Sequence, residues 1–106
     1  MEKISSIQEF KDLLLKSQKE TILFCKFSPI CPTSFMAQRE VESFLKDESL
    51  KCYSVDVVKQ RALSREIADL TGIRHESPQA FLLKGQKVTW SGSHYHVNRD
   101  SIKKAL

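Results

Sequence analysis

Cys31 is the residue of this 106-residue chain best placed to do chemistry. It stands in KFSPICPTSF, residues 26–35, between an apolar run and a proline suited to open a helix. A second cysteine three residues on would complete a dithiol C-x-x-C pair, but that position is Ser34. Thiol chemistry at this place therefore runs on a single sulfur. As the residue before Pro32, Cys31 is the natural N-cap of the helix. There the free N–H groups and the positive dipole end favour an anion, so they stabilise a thiolate and lower the thiol pKa. The thiolate is the attacking species in thiol–disulfide exchange. Ser34, on the first turn, is placed to donate its hydroxyl to the sulfur, and Thr33 its backbone N–H.

The remaining candidates are weaker. Cys25 and Cys52 fall inside apolar runs and read as buried, inert thiols. Three cysteines are no disulfide framework. No paired-ligand spacing of the zinc type occurs, and His94 and His96 have no further ligand nearby, so no metal is expected. Pro78 follows a small polar residue at the start of an apolar run, which is compatible with a cis peptide.

These residues need elements to hold them. Ser6-Ile7-Gln8-Glu9 is a capping box, and Ile7, Phe10, Leu13 and Leu14 recur at helical spacing behind it. TILFCKF, 21–27, reads as a strand buried on both faces. From Pro32 a helix carries Ala37, Val41, Phe44 and Leu45 on one stripe. KCYSVDVV is a second strand, and from Arg61 a third helix runs to its stop at Gly72. PQAFLLK and KVTWSG form a hairpin around Lys84–Lys87, and Asn98 caps a last helix. The order α-β-α-β-α-β-β-α predicts a single domain, residues 1–106. It has an α/β architecture with a mixed sheet of about four strands between helices, and one helix ahead of the first strand. In such sheets functional groups collect at the carboxyl ends of strands, which is where Cys31 sits.

Composition narrows the function classes. A net charge of +4 and a pI near 9.1 are spread over lysines and arginines interleaved with acids, with no basic run and no stacking aromatics. That is a solubilising surface and not a nucleic-acid interface. No apolar run approaches the ~20 residues of a membrane span, and MEKISSIQEF is not a secretory signal. A cytoplasmic protein, away from membranes, is the expectation.

Together these features resemble the thioredoxin-like fold, with Cys31-Pro32-Thr33-Ser34 similar to a glutaredoxin C-P-x-C site that has lost its second cysteine. In that fold the proline matching Pro78 is cis and faces the nucleophile. The resemblance then narrows. ICPTS, RALSREIADLTGIRHESPQAFLLKGQKVTWSGSHY and the closing SIKKAL resemble the monothiol bacilliredoxin (YtxJ-like) family. Its members carry T-C-P-x-S, R-P-L-S-x-x-I-A, H-E-S-P-Q and S-H-W/Y segments in this order. The similarity runs from Ile4 through essentially the whole chain.

What the resemblance implies is a thiol–disulfide oxidoreductase of the bacillithiol system, with bacillithiol as a small-thiol co-substrate and no bound cofactor. Cys31 would take bacillithiol from mixed disulfides on oxidised proteins, and a second, reducing thiol would reset it. Ser34, Pro32 and Thr33 would shape the thiolate site. Ser77 and Pro78 would present backbone groups to the disulfide. Arg61 and His94 match family positions and suit the malate group of bacillithiol; His75 matches too. Bacillithiolated proteins would be the partners of a monomeric enzyme.

Two departures from the family pattern stand out. Phe27 replaces a polar residue, and Pro29 and Ile30 replace threonines, so the approach to Cys31 is stiffer and more apolar. Cys25 lies six residues before Cys31, where some thioredoxins bury an acid, and is a candidate resolving thiol. Two rival functions differ in class. One is a monothiol glutaredoxin-like iron–sulfur carrier, whose C-G-F-S motif Pro32 and Thr33 do not match. The other is a thioredoxin-fold adaptor with no redox chemistry.

Overall fold

The computed structural model describes residues 1–106. Its elements follow the order β1 (Glu2–Lys3), α1 (Ile7–Lys16), β2 (Ile22–Phe27), α2 (Pro32–Asp47), β3 (Lys51–Asp56), α3 (Arg61–Thr71), β4 (Gln79–Lys84), β5 (Lys87–Ser93), a 3-10 turn at His94–His96, and α4 (Arg99–Ala105). The sheet has five strands in the order β1-β3-β2-β4-β5. Strands β1, β3 and β2 are parallel, β4 runs antiparallel to β2, and β5 runs antiparallel to β4, so that β4 alone is reversed in the sheet.

The expected mixed sheet is thus present with one strand more than the expected four. The extra strand is Glu2–Lys3, two exposed residues with no apolar pattern to announce them. Backbone pairing alone makes it a strand: Glu2 and Lys3 lie beside Tyr53 and Ser54, and the Ile4 N–H donates to the Ser54 carbonyl at 2.8 Å.

Side-chain alternation divides the core between the two faces of the sheet. On one face Ile22, Phe24, Tyr53, Val55, Phe81 and Leu83 pack with residues of α1 and α3. On the other, Leu23, Cys25, Phe27, Ala80 and Leu82 pack with residues of α2 and α4. Strand β2 lies between β3 and β4 and is buried along its whole length, as a run that is apolar but for Lys26 requires. Every side chain at its carboxyl end is therefore held from both faces, and the site hangs from that end.

The helix ends explain their own positions. The Ser6 hydroxyl accepts the Glu9 N–H at 3.2 Å, one half of the capping box, while the Glu9 carboxylate accepts the Ser5 N–H at 3.2 Å in place of that of Ser6. Gly72 closes α3 at φ +72°, in the left-handed region that favours glycine. Gly92 is needed for another reason. A Cβ there would meet the Trp90 ring at 2.7 Å and the His96 carbonyl oxygen at 3.2 Å, so glycine lets the 3-10 turn fold back on β5.

Candidate active site

Cys31 occupies the N-cap position of α2 with an extended backbone, φ −106° and ψ 121°, and Pro32 begins the helix. Its sulfur is partly exposed, whereas the thiols of Cys25 and Cys52 are buried. The Ser34 backbone N–H is the largest influence on the sulfur; the Thr33 N–H and the Thr33 and Ser34 hydroxyls add to it. Together they outweigh desolvation and hold the Cys31 thiol below its ordinary value. Cys31, Pro32, Thr33 and Ser34 together form the start of α2, where the Cys31 side chain makes no capping hydrogen bond of its own.

Ser34 also anchors the approach loop. Its side chain is buried, and its hydroxyl oxygen accepts the Ser28 N–H at 3.0 Å. Ser34→Ala is expected to loosen Ser28–Ile30 and move the midpoint of Cys31 alkylation towards an ordinary thiol. Below that midpoint the thiolate fraction falls as the pKa rises. The variant therefore alkylates severalfold more slowly with iodoacetamide at neutral pH, and the two rates converge in alkali. Superimposable rate–pH profiles would deny Ser34 this part.

The second wall of the site comes from the loop before β4. Lys26 pairs with Gln79 across β2 and β4, so Ser77 and Pro78 lie beside the end of β2 from which the Cys31 loop departs. The Ser77–Pro78 bond is cis, as the fold resemblance implied. The Ser77 hydroxyl is buried with no hydrogen-bond partner. The 3-10 turn is fastened to the same loop: the His94 N–H donates to the Pro78 carbonyl at 2.8 Å, and His94 Nε2 lies 3.0 Å from Glu76 Oε2. His94 is strained at φ +55°, a conformation that the carbonyl contact holds in place. Thr33, Met36, His94 and Tyr95 line a shallow cavity of about 320 Å³ between α2 and this turn.

Arg61 is the first residue of α3. It lines a separate cavity with Arg65 and His75, behind the end of β3. It is therefore at the same edge of the sheet as Cys31 but not in the cavity that holds His94.

Two features escaped the sequence reading. Ile30, Phe35, Met36 and Tyr95 are exposed apolar side chains on the segments flanking the site, between 59% and 80% exposed. Lys26 is wholly buried in β2. Its ammonium donates to the Ser64 carbonyl at 3.1 Å and to His75 Nδ1 at 3.0 Å, so His75 is an acceptor there. The signal was present in the sequence: one lysine interrupts TILFCKF, and a buried lysine needs partners.

Burial brings the Lys26 amine down from 10.5 to about 8. The folded state therefore binds fewer protons than the unfolded state between those values. The penalty for the buried charge is fully present below pH 8 and is relieved as pH rises to 10.5. Lys26→Met is expected to remove this rise. The difference in urea midpoint between the two proteins should narrow steadily from pH 8 upward. A constant difference would contradict it.

Cys25 has a different neighbour from the one a resolving role needs. Burial first, then the adjacent Cys52 thiol, pushes the Cys25 thiol well above its ordinary value. It faces the α2 layer of the core. No group of three or more His, Cys, Asp or Glu side chains is gathered in a metal-holding arrangement. No helix is long and apolar enough to cross a membrane.

A thiolate-favouring cysteine that caps the helix after a central strand, beside a cis proline at the head of the next strand, defines a thioredoxin-fold thiol site. Solved structures agree. A protein described as a candidate oxidoreductase with a thioredoxin fold matches with a TM-score of 0.91 at 32% identity, over 98% of this chain and 91% of that one. Thioredoxin of Fasciola hepatica matches at 0.76 and 17% identity, over 98% and 94%. Mitochondrial thioredoxin 3 of Saccharomyces cerevisiae matches at 0.78 and 16% identity, over 100% and 92%. The last two bear on the fold alone. Within that class the family model described as monothiol bacilliredoxin BrxC matches residues 2–102, and the chain belongs to that family.

Proposed function

We propose that this protein is a monothiol thiol–disulfide oxidoreductase that removes bacillithiol from mixed disulfides on oxidised proteins. The observation that carries the reading is Cys31 itself, a thiolate-favouring N-cap cysteine with a hydroxyl, Ser34, where a second thiol would stand.

The Cys31 thiolate attacks the bacillithiol sulfur of the mixed disulfide. The new bond joins Cys31 to bacillithiol, the old S–S bond breaks, and its electron pair leaves with the protein sulfur, which takes a proton from solvent. The substrate protein is reduced and Cys31 is oxidised to a mixed disulfide. A second small thiol, deprotonated to its thiolate, attacks the bacillithiol sulfur of that adduct; a disulfide of the two small thiols forms and leaves, and the broken S–S bond returns its electron pair to Cys31 as thiolate. With Ser34 in place of a partner thiol, this external reduction is the route to reset.

Within this reading Pro32 sets the first turn of α2, and Thr33 and Ser34 hold the thiolate. Ser77 and Pro78 offer backbone groups to the bound disulfide. Arg61 and His94 meet the charged part of bacillithiol. The exposed Ile30, Phe35, Met36 and Tyr95 give a substrate protein an apolar surface beside the sulfur. The protein acts as a monomer and a single domain, in the cytoplasm, without a bound cofactor. The test is transfer: a bacillithiolated substrate protein, incubated with this one, loses its adduct as Cys31 gains it, read by intact mass. Retention of the adduct on the substrate would refute the proposal.

A further inference from the structure

The cavity behind the end of β3, about 260 Å³, is lined by Val57, Val58, Arg61, Ser64, Arg65 and His75. Three of these are basic and none is acidic. A fourth basic group stands behind the wall: the buried Lys26 ammonium bonds to the Ser64 carbonyl and to His75 Nδ1. None of the four has a carboxylate partner, because the ion pairs of the chain use Lys51, Arg74, His94 and Arg99 instead. Glu76, the acid next to His75, is engaged by Arg74 and His94. The Asp56 carboxylate, at the end of β3, is turned to the Val58 and Lys59 N–H groups.

The helix end adds to this. Gln60 caps α3 without a side-chain bond, and the first turn carries no acid. Its N–H groups and positive dipole end stand open beside Arg61. Arg61 and Arg65 are one turn apart on one face, where like charges repel. A buried ammonium without a counter-charge also disfavours the folded state. A bound anion would relieve each of these unfavourable arrangements. Two guanidinium forks suit carboxylates, which they can hold in bidentate fashion.

We infer that this cavity binds a small dicarboxylate, held by Arg61 and Arg65 with His75 and Lys26 behind them. It opens at the sheet edge that also carries Cys31: the Val57 N–H donates to the Phe27 carbonyl at 3.0 Å, and Phe27 begins the loop to Cys31. The occupant is the dicarboxylate portion of the small thiol that Cys31 captures. This assignment rests on the function proposed above. It extends that reading by making one turn of α3 and a lysine of β2 the parts that choose among small thiols.

The test uses L-malate as a probe without sulfur, together with two disulfides: bacillithiol disulfide, which carries carboxylates, and uncharged hydroxyethyl disulfide. Malate is expected to shift the amide resonances of Ser64, Arg65 and His75 saturably and to slow capture of bacillithiol disulfide. In Arg61→Gln/Arg65→Gln, the ratio of capture rates, bacillithiol over hydroxyethyl disulfide, should fall at least about tenfold, the size of one charged hydrogen bond. The inference is overturned if Cys31 captures bacillithiol disulfide rapidly while malate leaves those resonances unmoved. It is also overturned if the variant keeps the wild-type ratio, or if chloride at equal concentration reproduces the shifts. In those cases the thiol–disulfide exchange proposed for Cys31 stands, without Arg61 as a contact for bacillithiol. Malate bound at these residues, with no preference of Cys31 for bacillithiol disulfide, supports the dicarboxylate site and removes the bacillithiol reading instead. The malate titration needs only the wild-type protein, so it decides the matter even if the double variant fails to fold.

Discussion

Cys31→Ser is expected to end capture of bacillithiol altogether, leaving no adduct by intact mass under conditions that modify the wild type within the mixing time. The loss is complete because a serine oxygen cannot form a disulfide, so the product itself is unavailable. The other cysteines do not substitute. Cys25 is fully buried, its thiol is held well above its ordinary value, and Cys52 is 9% exposed within the same apolar layer. The serine side chain is nearly isosteric and is itself a favoured N-cap residue, so α2 keeps its start and the fold is undisturbed. Unchanged far-ultraviolet circular dichroism beside a vanished adduct would place the chemistry on the sulfur. An adduct that persists in the variant, mapped to Cys25 or Cys52, would sink the assignment. Wild-type protein that forms no adduct would leave the adaptor reading as the stronger one.

Phe24→Ala is the largest expected loss of stability. Phe24 is fully buried, meets Phe10 edge-on with ring centroids 5.0 Å apart, and lies 6.0 Å from Phe81. Truncating such a side chain costs roughly 3–5 kcal/mol, part from lost transfer energy and part from the cavity left behind. The upper part of that range is expected, because β2 is hydrogen-bonded on both sides and cannot collapse into the gap. Small domains have only about 5–15 kcal/mol in total. The melting temperature should therefore fall by more than about 10 °C. The site is affected as well, since Lys26 and the Cys31 loop both hang from β2. Iodoacetamide should lose its preference for Cys31 as Cys25 and Cys52 become reachable through unfolding. A drop in urea midpoint equivalent to less than about 1 kcal/mol would mean that the two-sided support of β2 has been overestimated.

The site was readable in the sequence where it depends on neighbours along the chain. Cys31 before Pro32, with Ser34 one turn in, states its own geometry, because an N-cap and a first turn are built from consecutive residues. The same holds for the Ser6–Glu9 box and for Gly72 after α3. Strand β2 announced itself by an apolar run with no alternation. Strand β1 did not: Glu2–Lys3 has no pattern, and only the edge of β3 makes it a strand. Arg61 was identified as a site residue on resemblance, and the structure places it in a cavity apart from the one that holds His94.

The sequence by itself determined which sulfur stands at the start of a helix, that it has no partner thiol at the next turn, and that helices cover both faces of the sheet. Helical and strand periods, caps and turn residues act over a few positions, and these decisions need no distant partner. The tertiary structure alone decided what surrounds that sulfur. Lys26 meets His75 across 49 residues, and His94 meets Glu76 across 18. Which face of β2 carries the lysine, and which loop arrives to accept its hydrogen bond, follows from strand order and register. These are set by the packing of two apolar layers at once, a condition that no short stretch of the chain contains.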